Sequence, residues 1–458
     1  MKFLLILPHQ LYNFKIIKKA IIDYDIRNIV IWECPFYFTR MNFNKKKLIL
    51  HRASMKYYFD VLSEKVIGSK IAQIQYLEFN HKLRVCIFDE KAIVHVFDPI
   101  DNLKRSNFGL SREQSIKFIQ TPNFILENYD DYPIRKKYAF NHFYMWGKAK
   151  SNIIPLVKSQ DLYNRERLPK EDIIDDIFIN PDKNEQTYIN AAIHYIELNF
   201  PNNIGNSNNF NFPITHESAL KQLKLFITKK FKKFGSYQDA VCANKLTLYH
   251  SFMSSSINIG LINPLDVVKI ISQVKDKIPI NSYEGFVRQL FWREYQRMTY
   301  IRIFSQFAFM KAENYFGNTK SLTGGWYNGT LGIEPVDNAI KRGIDNAYLH
   351  HIERLMVVGN FMNLSGISPQ EGHRWFMEFS IDSYDWVMGQ NVYDMVFFCT
   401  RMTAYKPYIS SSNYILKMSD YKKGEWCEEW DKLYHHFLKK HKAKLWPYRY
   451  HFPSLSSL

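Results

Sequence analysis

The chain has 458 residues, 46% hydrophobic and 23% charged, a balance that excludes a mostly disordered protein and leaves room for a large core. Lys and Arg number 61 against 44 Asp and Glu, and the net charge of +17 suits a polyanionic partner such as nucleic acid or an anionic surface. The five cysteines, Cys34, Cys86, Cys242, Cys399 and Cys427, form no CxxC pair, which argues against a disulfide scaffold or zinc ribbon and for a reducing compartment.

The opening MKFLLILPHQL stops its apolar run at Pro8, so it reads as a buried first strand and not as a signal peptide. No run of about 20 apolar residues predicts a membrane span. Through residue 125, short apolar runs at Phe3–Leu7, Ile29–Trp32, Lys70–Tyr76 and Ala92–Val96 alternate with helix-like stretches such as Leu48–Leu62. That alternation predicts an α/β domain with a parallel sheet over 1–125. Neither GxGxxG nor GxxxxGK[ST] occurs, so neither kind of nucleotide loop has support.

Residues 126–215 carry Pro133, Pro155, Pro169, Pro181, Pro201 and Pro213 and an Asn-rich run from Asn202 to Asn211. They read as a connector with one clear helix, Ile189–Leu198. From 216 to 458 the apolar spacing is helical, over Ala219–Phe231, Pro264–Val274, Tyr283–Met310, Val336–Ser365 and Pro369–Phe379. A small α/β domain therefore precedes a larger all-α domain.

In the helical part, AYLHHIERLMVVGN (Ala347–Asn360) sets His350 and His351 ahead of Arg354. On a helix two adjacent histidines point apart, so they form a poor metal site. IDSYDW (Ile381–Trp386) places Asp382 28 positions after Arg354, enough for a helix, a turn and a second helix. A buried Arg–Asp pair there would clamp a planar heterocycle.

YEGFVRQLFWREY (Tyr283–Tyr295), GWYNGTLGIEPVD (Gly325–Asp337), LYHSFMSSSINIGLINP (Leu248–Pro264) and FGSYQDA (Phe234–Ala240) together resemble the photolyase/cryptochrome family. The Leu-Pro-His-Gln-Leu start, Lys45–Phe59 and Phe143–Pro169 are similar to the branch of photolyase-related proteins, or iron–sulfur bacterial cryptochromes and photolyases. The resemblance implies an antenna-like α/β domain followed by a helical domain that binds FAD and DNA. It implies Tyr237, Ser251, Ser254, Arg354, Asp382 and Asn391 at the FAD, with Arg354 and Asp382 over the flavin ring. It places Trp292 under a flipped lesion, between Gln289 and Arg293. Gln289 stands where glutamine is common in enzymes acting on (6-4) photoproducts. His351, with His350 beside it, matches the catalytic histidine that protonates the lesion.

Trp375 and Trp326 match the electron-transfer chain that reduces the flavin. Phe376 stands where the family often has a tyrosine, so the relay is expected to be broken there, with Tyr384 and Trp386 as candidate substitutes. The family usually holds a [4Fe–4S] cluster on four cysteines. Here Pro335 and Lys417–Trp426 (KMSDYKKGEW) replace ligands, and Cys427 alone corresponds to one, so no cluster is expected. Trp426, Trp430 and Tyr434 are expected to fill the space. Met388 and Gly389-Gln390 depart from the family beside the cofactor. Pro8-His9 also departs, although Glu33 is kept, so a lumazine or folate antenna is an open expectation. The resemblance therefore implies a monomeric flavoprotein, without a membrane span, that repairs UV-damaged DNA wherever DNA lies in the cell. A photosensory cryptochrome, or a degenerate DNA-binding protein without FAD, are the rivals.

Overall fold

The computed structural model describes residues 1–87, 89–153, 159–305 and 314–455. Pro155 of the connector and residues 306–310, the end of the helix expected over Tyr283–Met310, lie outside the described residues. The chain divides into two compact units. The first is Met1–Glu127 with Phe178–Thr228 and Ser251–Gln273, and the second is Asn128–Ile177 with Lys229–His250 and Val274–Leu458.

The first unit is built on five parallel strands, β1 (Lys2–Ile6), β2 (Asn28–Trp32), β3 (Gln73–Leu77), β4 (Ile93–Phe97) and β5 (Ser115–Ile119), in the order β3-β2-β1-β4-β5. β1 is central, and Leu5 lies opposite Val30 on one side and Val96 on the other. Central parallel strands are covered on both faces, which is why β1, β2 and β4 are short unbroken apolar runs. β3 starts three residues later than the run at Lys70 suggests. β5 carries no apolar run, because it is an edge strand whose Phe118 is exposed.

The helix seen in sequence at Leu48–Leu62 spans Lys45–Lys65 and is capped by the Asn44 side chain, which accepts from the Lys46 amide. The connector helix spans Lys183–Asn199, with a reciprocal Asp182–Glu185 capping box. The two helices pack together, and Lys45 Nζ donates to Glu197 at 2.6 Å.

The second unit is helical. Its main elements are Phe140–Ser151, Phe231–Tyr237, Ile280–Thr299, Glu334–Asn346, Pro369–Phe379 and Glu425–Lys440. The helix expected over Val336–Ser365 is two pieces. Glu334–Asn346 ends at Ala347, whose φ of 53° is left-handed, and helical structure resumes at His351. The break is tied down where the Ile381 amide donates to the Ala347 carbonyl. The two histidines therefore do not sit mid-helix. His350 lies in the break and His351 opens the next helical turn.

Glu353–Gly359 and Gly389–Val396 are wide π-turns, a form that recurs at functional sites. They approach closely at Gly359, where a Cβ would lie 2.8 Å from Val396 Cγ2. Trp426, Trp430 and Tyr434 are buried, and Trp430 Nε1 donates to the Ser410 carbonyl. Among the described residues no helix is long and apolar enough to cross a membrane.

Candidate functional site

The second unit joins residues far apart in sequence. Arg354 leads the first π-turn, and Asp382 follows the helix Pro369–Phe379. The guanidinium meets the carboxylate bidentately, with Nη1 donating to Oδ1 at 2.8 Å and Nη2 to Oδ2 at 3.2 Å. Arg354 Nε also donates to the Leu349 carbonyl at 2.6 Å, and the Ser380 hydroxyl donates to Asp382. The Tyr348 and Phe379 rings flank the guanidinium. Such an arrangement fixes the orientation of a planar cation.

Behind Phe379 comes Trp375, with ring centroids 4.4 Å apart, and Trp375 Nε1 donates to the Trp326 carbonyl at 2.7 Å. Phe376 stands edge-on to Trp375. Asn391 lies in the second π-turn and donates to the Val387 carbonyl, while its own Oδ1 is buried without a partner among the described residues.

His350 is buried and stacks on His250, with centroids 4.4 Å apart. Its Nε2 lies 3.4 Å from Glu353 Oε2, and Glu353 is itself paired with Arg342. Burial, then His250 and Arg342, push the His350 pKa well below the usual imidazole range. His351 is exposed, unlike its neighbour, although protein lies densely around it. Burial, then Arg354, lower its pKa to about 4. The ring nitrogens of His250 face the carbonyls of Thr247 and Gln238. The Gln238 side chain in turn accepts from exposed Gln289 at 3.4 Å, so Gln289 and the histidines share one neighbourhood.

Trp292 is half-buried, and one face lies flat on Phe140 at 3.6 Å between centroids. Arg293 sits over the Trp386 ring. The Tyr237 hydroxyl donates to Asp172 at 2.7 Å. Ser251 and Ser254 belong to the first unit, where the Ser251 carbonyl accepts from Gln222 and Ser254 opens a short helix. In that unit Glu33 accepts from Arg52, Tyr76, the Phe79 amide and Tyr195, and His9 packs on Tyr37.

Residues 4–212 match the family described as deoxyribodipyrimidine photo-lyase-related protein. A "(6-4) photolyase" of Agrobacterium fabrum (strain C58) is 37% identical over 268 residues, which is 56% of this chain and 52% of that protein. Over residues 4–212 the chain carries the sequence pattern of the photolyase-related family. The match spans about half the length of that curated relative. The fold is that of photolyases and cryptochromes. The archaeal photolyase of Sulfolobus tokodaii with two FAD molecules aligns at a TM-score of 0.56 and 12% identity, over 94% of this chain and 90% of that one. A Synechocystis sp. PCC6803 cryptochrome aligns at 0.59 and 13% identity, over 96% and 89%.

The donor set of the second unit fits a flavin. Among the described residues, Asn391 Oδ1 and His350 Nδ1 are buried without hydrogen-bond partners, and the Arg354–Asp382 pair offers a fixed charged edge. In the first unit the Ser255 and Ser256 hydroxyls beside Ser254 are likewise buried without partners. Sequence reasoning missed Phe140, His250 and the Arg342–Glu353 pair. His250 stands inside the LYHSF segment and was legible there. Phe140 lies 152 positions before Trp292, and no local pattern marks it.

Proposed function

We propose that the protein is a light-driven, FAD-dependent lyase that repairs UV-damaged DNA, and that its lesion is the (6-4) photoproduct. The observation that carries this is the bidentate Arg354–Asp382 pair, with His351 three residues from Arg354. The 37% identity to a (6-4) photolyase supports the choice of lesion. FAD, held by Arg354, Asp382 and Asn391, would supply light-driven one-electron chemistry when bound and reduced.

The chain's own residues do the rest. Arg354, Asp382 and Asn391 hold the flavin ring, and the guanidinium favours negative charge on it. Trp292, backed by Phe140, turns its other face to an extruded base, and Gln289 and Arg293 flank it. His351 meets the lesion. Crowding by the surrounding protein and then the Arg354 charge favour its neutral form, which donates an N–H hydrogen bond until a negative charge beside it raises its pKa. His350, held in the stack with His250, positions it. Trp375 and Trp326 would pass electrons toward the flavin, with Tyr384 or Trp386 bridging the gap that Phe376 leaves in the relay. The +17 charge draws the protein to the phosphate backbone. The α/β part acts as the antenna-like domain and the helical part as the FAD- and DNA-binding domain.

The test is an oligonucleotide carrying one (6-4) photoproduct, incubated with purified protein in the dark and under blue light. Light-dependent restoration of the two bases is the expected result. Absence of a flavin absorption band together with absence of turnover refutes the reading. A bound flavin without turnover instead identifies a photosensory cryptochrome, which Met388, buried where the family carries an acid, favours.

A further inference from the structure

From Lys432 to the last residue the chain has no Asp or Glu, and it carries five Lys, one Arg and four His. This stretch includes a short 3-10 segment, Trp446–His451, with sequence WPYRYH. Trp446 is 46% exposed and Tyr450 83% exposed, unusual for rings of that size. Arg449 lies against both, 5.2 Å from the Trp446 ring and 4.5 Å from the Tyr450 ring, and donates to the Tyr450 hydroxyl at 3.0 Å. The surface continues through His451, whose ring meets that of Tyr405, 64% exposed, with Lys406 over the latter. Lys442 and Lys444, just before the 3-10 segment in the chain, are exposed, and Lys444 Nζ donates to the Tyr315 carbonyl at 2.6 Å.

We infer that this basic aromatic face binds an unpaired stretch of nucleic acid. Exposed rings interleaved with cations form a stacking platform, because every base has a π-face and every nucleotide a phosphate. Base pairing and stacking hide those faces in a duplex, so the platform selects unpaired strands. The composition argues against a lipid or an apolar protein partner. Among the described residues after position 400, the large exposed apolar side chains are Tyr405, Trp446 and Tyr450, with no aliphatic one. Nothing here reads base edges, so binding is tolerant of sequence.

The experiment uses full-length protein in the dark and an undamaged fluorescent oligonucleotide, single-stranded or as a duplex. Trp446→Ala with Tyr450→Ala is expected to weaken single-strand binding at least about tenfold. Duplex binding should change less than about twofold. Trp446→Phe with Tyr450→Phe keeps the rings and is expected to restore single-strand binding, which excludes a folding defect. Lys442→Gln, Lys444→Gln and Arg449→Gln together should flatten the dependence of single-strand binding on salt. Unchanged single-strand binding in the alanine variant, an equal loss on both strands, or failure of the Phe variant to restore binding overturns the inference. The measurement needs no flavin, light or lesion, so its failure and the failure of the repair reading are separable.

Discussion

Replacing Arg354 with alanine removes three hydrogen bonds, two to Asp382 and one to the Leu349 carbonyl. The Asp382 side chain is only 9% exposed, so its carboxylate is left in protein, with the Ser380 hydroxyl still donating to it. Breaking a buried ion pair by removing one partner costs about 3–5 kcal/mol, chiefly because the remaining charge is stranded. Arg354→Ala should therefore lie about 3 kcal/mol below the native protein. Asp382→Asn in that background should recover part of the loss, because it removes the stranded charge. The assay is a double-mutant cycle on the apoprotein by denaturant titration, with flavin content measured on the holoprotein. Arg354→Ala is expected to lose most bound FAD. Single effects that add to the double within about 0.5 kcal/mol would show the pair is uncoupled. Stoichiometric flavin in Arg354→Ala would sink the clamp.

His351→Ala should keep the flavin spectrum and lose light-dependent (6-4) repair, and repair at an unchanged rate means His351 is not catalytic. Trp292→Ala should weaken binding to damaged DNA more than to undamaged DNA, and an equal loss on both makes it a packing partner of Phe140. Acid should destabilise the fold through its buried histidines. Burial lowers the His9 pKa to about 3, below its unfolded value near 6.5, and His51 and His350 shift the same way. The unfolded chain then binds more protons, so this stability is present above pH 6.5 and lost as pH falls toward 3. The thermal midpoint should drop between pH 7 and 5, and His9→Gln should flatten the drop. A flat midpoint over that range contradicts the assignment.

The strand pattern of the first unit was legible because the central parallel strands are covered on both faces and read as unbroken apolar runs. The edge strand β5 was not, since its exposed side carries no such run. Arg354 and Asp382 were legible as a pair because the intervening length fits a helix, a turn and a second helix, and the family motifs named the same two positions. Local spacing failed where the tertiary structure overrides it. The apolar periodicity over Val336–Ser365 is continuous, yet Ala347 turns left-handed because packing and the Ile381 amide hold the chain there. The composition, the missing cluster ligands and the order of motifs are properties of the chain itself. The stack of His350 on His250, the Phe140 backing of Trp292, the Glu353–Arg342 pair and the surface around Trp446 exist only after distant segments meet, because each depends on where a ring or charge comes to rest.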